Sequence, residues 1–198
     1  NIGIRLNPNT NAKTLKQIST GKKENKFGVD KKTFFDLVNY LKLSQNINLT
    51  CLSVHIGSQI LDHKPYEKML EVVDRIIKKS NHKFEFIDLG GGMGISYEQN
   101  NKKLNYQKYN IAIKKFLKNH KSKIIFEPGR SIVGNIGSLI SKVIYIKEND
   151  KKDFIILDAA MNDLMRPALY GANHRTLPVI KTNQTSKKIY EFVGPICE

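Results

Sequence analysis

Cysteine is scarce in this chain of 198 residues, which has only Cys51 and Cys197. One inside an apolar strand and one at the chain end give no disulfide framework and no metal-ligand spacing, so the expectation is a reducing compartment, the cytoplasm, and no bound metal. Cys51 lies inside the apolar run LTCLSVHIG, where a thiol reads as a small core side chain. No apolar run approaches the ~20 residues that a bilayer-spanning helix needs, and the opening NIGIRLNPNT reads at once as a strand. A soluble protein without membrane contact is therefore expected. Internal repeats are missing too.

Acidic residues are also few, with 18 Asp and Glu against 33 Lys and Arg, for a formal charge of +15. Such an excess suits nucleic acid only where the cations cluster and displace counterions from phosphates. Here the lysines are scattered through KTLKQISTGKKENK, KKSNHK, QNNKKLN and KENDKK, mostly beside Asn, Gln, Ser or acidic residues. Solvated turns and helix faces explain that distribution better than a nucleic-acid surface does.

What the chain does contain is an alternation of apolar strand-like runs with segments of helical period. NIGIRL precedes KKTFFDLVNYLKLSQ, in which Phe34, Leu37, Val38 and Leu41 share one face. TCLSVHIG precedes KPYEKMLEVVDRIIKKS, where Tyr66, Met69, Leu70, Val73, Ile76 and Ile77 form a stripe and Pro65 suits the first turn. FEFIDLG is followed by NYQKYNIAIKKFLKNH, with Tyr106, Tyr109, Ile113, Phe116 and Leu117 expected to face inward, and KIIFEPG ends the series. Strand, helix, strand in repetition predicts a parallel α/β array. After Arg130 the texture changes to β-rich segments: SIVGNIGSLISKVIYIKEN, DFIILDAA, TLPVIKT and KKIYEFVG. KENDKK reads as a charged hairpin or loop, and AMNDLMRPALYG as a short helix.

Ligands of parallel α/β arrays gather at the carboxyl ends of the strands, and three such ends are unusual here. SVHIGSQ delivers His55, Gly57 and Ser58; a single histidine there serves either as a hydrogen-bonded rim residue or as a ligand contact. FIDLGGGMGISY places Gly90, Gly91 and Gly92 in a row, which fits either a tight turn or backbone N–H groups brought close to an anion. No Gly-Lys-Ser/Thr follows, and the dinucleotide spacing is incomplete. IIFEPGRS carries Glu127 to the end of a strand expected to be buried, with Arg130 three residues on. The two either pair with each other or with neighbours, or address a ligand. Three loaded ends on one rim, with an aromatic ring, a carboxylate and a glycine turn, would suit a phosphorylated heteroaromatic cofactor.

HIGSQ, DLGGGMGISY, FEPGRS, MNDLMRPALYGA and GPICE stand in an order that resembles the diaminopimelate decarboxylase family, fold-type III enzymes dependent on pyridoxal 5′-phosphate. RLNP and STGKKENKFGV look like the same family, so the resemblance covers essentially the whole chain. It implies the C-terminal part of a (β/α)8 TIM-type barrel over residues 1–135 and the start of a β-rich domain over 136–198. It also implies a homodimer with shared active sites. By motif, His55 would stack on the cofactor ring, and Gly90 to Gly92 would hold its phosphate with Ser58 and the turn Glu127, Pro128, Gly129, Arg130. Glu127 would face the pyridine nitrogen and keep it protonated. Arg130, Arg166 and Tyr170 resemble the clamp on the substrate's far carboxylate, a task for which the planar guanidinium is suited.

Cys197 matches the thiol that returns a proton to the substrate carbon from the partner subunit, and Glu198 the carboxylate that reads the substrate's second amino group. The implied reaction is decarboxylation of meso-2,6-diaminopimelate to L-lysine and CO2. Decarboxylases of ornithine or carboxynorspermidine, and a non-catalytic cofactor-binding homologue, are the alternatives. No segment resembles the family's Schiff-base lysine strand or its C-terminal active-site tyrosine, so the chain reads as the middle of a longer enzyme.

Overall fold

In the computed structural model, the described residues are 1–12, 20–21, 26–97, 102–180 and 188–196. Four short strands, β1 (Ile2–Arg5), β2 (Leu49–Ser53), β3 (Phe86–Asp88) and β4 (Lys123–Ile125), lie in sequence order as one parallel sheet. Helices α1 (Lys31–Lys42), α2 (Lys64–Ser80) and α3 (Tyr106–Leu117) connect them. The ladder pairs Arg5 with Ser53, Ser53 with Asp88 and Asp88 with Ile125, so the four strands finish level. Every following loop therefore leaves from the same edge.

The helices start where local chemistry satisfies their free N–H groups. Asp30 accepts from the Thr33 N–H at 2.9 Å, and Asn105 from the Lys108 N–H at 2.9 Å. Pro65 occupies the first turn of α2, where a missing N–H costs nothing, and Asn81 ends that helix in the left-handed region at φ 46°. The α2 stripe is buried throughout, from Tyr66 to Ile77, in the same apolar core as Leu52, Val54 and Ile87. On α1, Phe34, Val38 and Leu41 are buried as expected.

Two expectations fail on burial. Tyr106 is 52% exposed at the start of α3, before the helix has turned its apolar face inward. The strand that leads to Glu127 is not buried in this chain: β4 is one of the two edge strands of the described sheet, Phe126 is 41% exposed, and Glu127 is itself exposed. The apolar run IIF gives the same signal whether a strand has neighbours on both sides or on one.

Residues 1–96 and 102–136 form one compact unit; residues 97–101 and 137–198 form another. The first also contains α4 (Arg130–Val133), a short helix where a β segment was expected. In the second, β5 (Val143–Lys147) and β6 (Asp153–Leu157) are antiparallel, with 148–152 as the hairpin connection, and β7 (Tyr190–Val193) pairs parallel with β6. Helix α5 (Arg166–Tyr170) lies where RPALY predicts it. Residues 176–180, in TLPVIKT, form no strand. Asp158 ties the start of β5 to the end of β6 by accepting from Ser141 Oγ at 2.7 Å and the Lys142 N–H at 2.8 Å. No helix among the described residues is long and apolar enough to cross a membrane.

Candidate active site

The level strand ends bring three of the sequence motifs onto one rim. Past β2 the chain reaches His55, past β3 the three glycines, and past β4 Glu127. The ladder continues into these loops, with the Val54 N–H on Asp88 O at 2.8 Å, the Leu89 N–H on Ile125 O at 3.0 Å and the Glu127 N–H on Gly90 O at 2.9 Å. The site is thus an extension of the sheet.

Each glycine of the triplet has its own reason. Gly90 is at φ 66° and Gly92 at φ 89°, conformations that a side chain resists. Gly91 has ordinary backbone, but a Cβ there would sit 2.1 Å from Glu127 O. The turn is wedged between the ends of β2 and β4, and no larger residue fits. Its N–H groups are also largely committed: the Gly90 N–H donates to Asp88 Oδ1 at 2.8 Å, and the Gly91 N–H to His55 Nδ1 at 3.1 Å. From behind, Tyr66 Oη donates to Gly91 O at 3.1 Å, its ring stacked on Tyr109 at 4.3 Å. Burial pushes both phenols well above the ordinary tyrosine range, so both stay neutral and Tyr66 keeps the proton it donates.

His55 is half-buried, with its carbonyl held by Thr20 Oγ1 at 2.9 Å. Burial, helped by the charge of Arg5 and opposed by Asp88, lowers its pKa below the usual 6.5. The ring is therefore neutral near pH 7, and because Nδ1 accepts from Gly91 the proton resides on Nε2. The tautomer is set by the backbone of the glycine turn.

Arg130 opens α4, and its Nη1 donates to Gln59 Oε1 at 3.1 Å. Ser58 is half-buried on the loop that carries Gln59, and Pro128 borders an apolar groove of about 530 Å³ with Tyr109, Ile113 and Phe126. In the second unit, the Arg166 guanidinium lies 5.2 Å from the Tyr97 ring centre and 5.8 Å from that of Tyr170, and His174 meets Tyr97 edge-on at 5.4 Å. Among the described residues, Arg166 Nε and His174 Nε2 are buried atoms without a hydrogen-bond partner. Cys197 and Glu198 lie outside the described residues. Among those described, no group of three or more His, Cys, Asp or Glu could hold a metal.

The sequence reading passed over Asp88, Tyr66 and Gln59. Asp88 could have been noticed, since an Asp two residues ahead of a glycine's N–H commonly closes a turn. Gln59, within HIGSQ, has no local sequence signal of its role, and Tyr66 reads in the sequence only as part of an apolar stripe.

The residues present fit a phosphorylated pyridine: a neutral imidazole face, an exposed carboxylate and a guanidinium border one glycine turn. The family model described as "Pyridoxal-dependent decarboxylase, pyridoxal binding domain" matches residues 1–134, and the chain belongs to that family. Among similar proteins is the diaminopimelate decarboxylase of Aquifex aeolicus, 42% identical over 100% of this chain and 47% of its own length. That of Neisseria meningitidis serogroup B is 40% identical over 100% and 48%. The crystal structure of diaminopimelate decarboxylase from Helicobacter pylori complexed with L-lysine superposes with a TM-score of 0.88 at 41% identity, covering 100% of this chain and 49% of that one. The chain spans about half the length of the relatives it matches.

Proposed function

We propose that this chain forms the end of a (β/α)8 barrel and the start of a β domain in an enzyme that decarboxylates meso-2,6-diaminopimelate to L-lysine and CO2. The carrying observation is the rim itself, with neutral His55, the wedged glycine turn, Glu127 and Arg130 at level strand ends, in a chain 42% identical to a diaminopimelate decarboxylase. The L-lysine in the Helicobacter pylori structure is the product this reaction would leave.

Pyridoxal 5′-phosphate bound at this rim would accept the electron pair released when the substrate carboxylate departs as CO2. His55 presents an uncharged ring for stacking, which avoids placing a cation against a protonated pyridine. Glu127 stabilises the protonated ring nitrogen. Gly90 and Gly91, with their N–H groups largely committed, shape the phosphate cradle; Ser58, Gly92 and the Pro128–Gly129–Arg130 turn complete it, with space open beside Gly129.

Arg130, Arg166 and Tyr170 hold the substrate's far carboxylate, and the unpartnered Nε of Arg166 supports this role because a buried donor is costly until something accepts from it. Cys197, from the partner subunit of a homodimer, supplies the proton that replaces CO2, and Glu198 reads the second amino group. The compartment is the cytoplasm.

The test is the full-length protein supplied with pyridoxal 5′-phosphate and assayed for CO2 and L-lysine. Release from meso-diaminopimelate supports the reading. Release from ornithine or carboxynorspermidine but not from diaminopimelate would overturn the substrate, and cofactor binding without turnover of any of the three would overturn the activity.

A further inference from the structure

The amide of Gln59 joins two loops that the sequence keeps far apart. Its Nε2 donates to Ile95 O at 2.6 Å, and its Oε1 accepts from the Ile95 N–H at 3.3 Å. The side chain therefore pairs with the backbone beyond the glycine turn as a strand would. The same Oε1 takes its second bond from Arg130 Nη1 at 3.1 Å, across 71 residues of sequence. An amide oxygen has two lone pairs and both are used.

The surroundings hold Gln59 in place. The residue is in the left-handed region at φ 61°, and a short bridge beside it pairs the Ile60 N–H with Gly92 O at 2.9 Å and the Gly94 N–H with Ile60 O at 3.0 Å. A Cβ on Gly94 would lie 2.9 Å from Leu61 Cδ2 and 3.0 Å from Gln59 Oε1, so a side chain there would crowd the amide. Strained backbone persists only where neighbours over-determine it.

We infer that Gln59 is a positioning residue for Arg130: it helps to fix the guanidinium relative to the glycine turn, and so tunes the affinity of the site for the substrate's far carboxylate. The inference rests on the proposed role of Arg130 in binding that carboxylate. A neutral amide is required. Glutamate would lose the donor to Ile95 O, set two acceptors against each other and draw the guanidinium into an ion pair of its own. Methionine would keep the length and remove every bond.

The experiment compares Gln59→Glu and Gln59→Met with wild type in the full-length holoenzyme. KM and kcat are measured with meso-diaminopimelate, and binding of pimelate, a dicarboxylate without amino groups, is followed by calorimetry. Expected is a loss of about tenfold or more in pimelate affinity and a matching rise in KM. The kcat should change by less than about threefold, because the interaction is made equally before and during the reaction. Melting temperatures of the cofactor-free proteins within about 4 °C of wild type show that the fold is intact. Unchanged pimelate binding in both variants would overturn the inference, as would a fall confined to kcat. If wild type binds pimelate but does not decarboxylate diaminopimelate, the function fails while a loss of pimelate binding in the variants still upholds Gln59.

Discussion

Replacing Gly91 by alanine tests whether the glycine turn is wedged as tightly as the backbone indicates. The added Cβ would meet Glu127 O at 2.1 Å, whereas tolerable contacts begin at 3.0 Å and are relaxed beyond 3.4 Å. Relief requires the turn and the end of β4 to separate by about 1 Å, a movement that a close-packed interior resists. The neighbouring bond from the Glu127 N–H to Gly90 O, 2.9 Å long, would stretch past hydrogen-bonding range. Overpacking costs about 1–3 kcal/mol and a lost backbone bond about 1 kcal/mol, so the variant should be destabilised by about 2–4 kcal/mol. Urea unfolding of the full-length protein, followed by circular dichroism, measures this. Gly137→Ala is the control: nothing lies within 4 Å of its added Cβ, and it should stay within about 0.5 kcal/mol of wild type. If the two variants unfold at the same urea concentration, the close-approach argument is wrong. A 1 Å displacement of Glu127 should also cost up to about 100-fold in turnover, which a rate assay on the folded fraction would detect.

Tyr66→Phe removes the bond to Gly91 O and should cost about 1 kcal/mol in urea unfolding while the Tyr109 stacking survives; no loss would mean that the turn needs no support from behind. His55 has a folded pKa below 6.5, so between that value and 6.5 the unfolded chain binds more protons, and stability falls as pH drops through this window. His55→Asn should remove that part of the slope, and parallel profiles for wild type and variant between pH 7 and 5 would refute the assignment. Burial opposes ionisation of Asp74, but bonds from Lys78 and His120 outweigh it and hold its pKa below 3.8. Its contribution, under about 1 kcal/mol, is present above pH 3.8 and lost as pH falls through the folded pKa; Asp74→Asn should abolish that loss, as acid titration of stability will show. Cys197→Ala should depress turnover far more than cofactor absorbance, and unchanged turnover would remove its role as proton donor.

Periodicity made the α/β order and the parallel sheet legible, because burying one face of α1 and of α2 requires apolar residues at three- and four-residue spacing. Strand-end position made His55, the glycines and Glu127 legible as neighbours, since parallel strands of matched register end together. Exposure was not legible: IIF reads alike on a central and an outer strand, and only the neighbours of β4 decide it. The short helix at Arg130 was hidden too, because SIV carries strand propensity while the turn at Gly129 directs the chain into a helix. Gln59 was least legible of all. An amide reveals its role only through partners, and these stand 36 and 71 residues away.

The tight turn and the anion cradle, two readings of three adjacent glycines, are parts of one arrangement here. Gly90 and Gly92 need positive φ to reverse the chain, and Gly91 must be bare to pass Glu127 O. The same reversal aims the Gly91 N–H at His55 Nδ1 and so selects the imidazole tautomer. A residue that widened the turn would at once loosen Glu127 and release His55 from its acceptor role. The glycines therefore act on ligand chemistry mainly through the side chains beside them, and it follows that a glycine substitution should disturb His55 titration as well as stability. Nuclear magnetic resonance of the His55 ring in Gly91→Ala would show it: a pKa that stays where wild type has it would separate the turn from the tautomer and break this link.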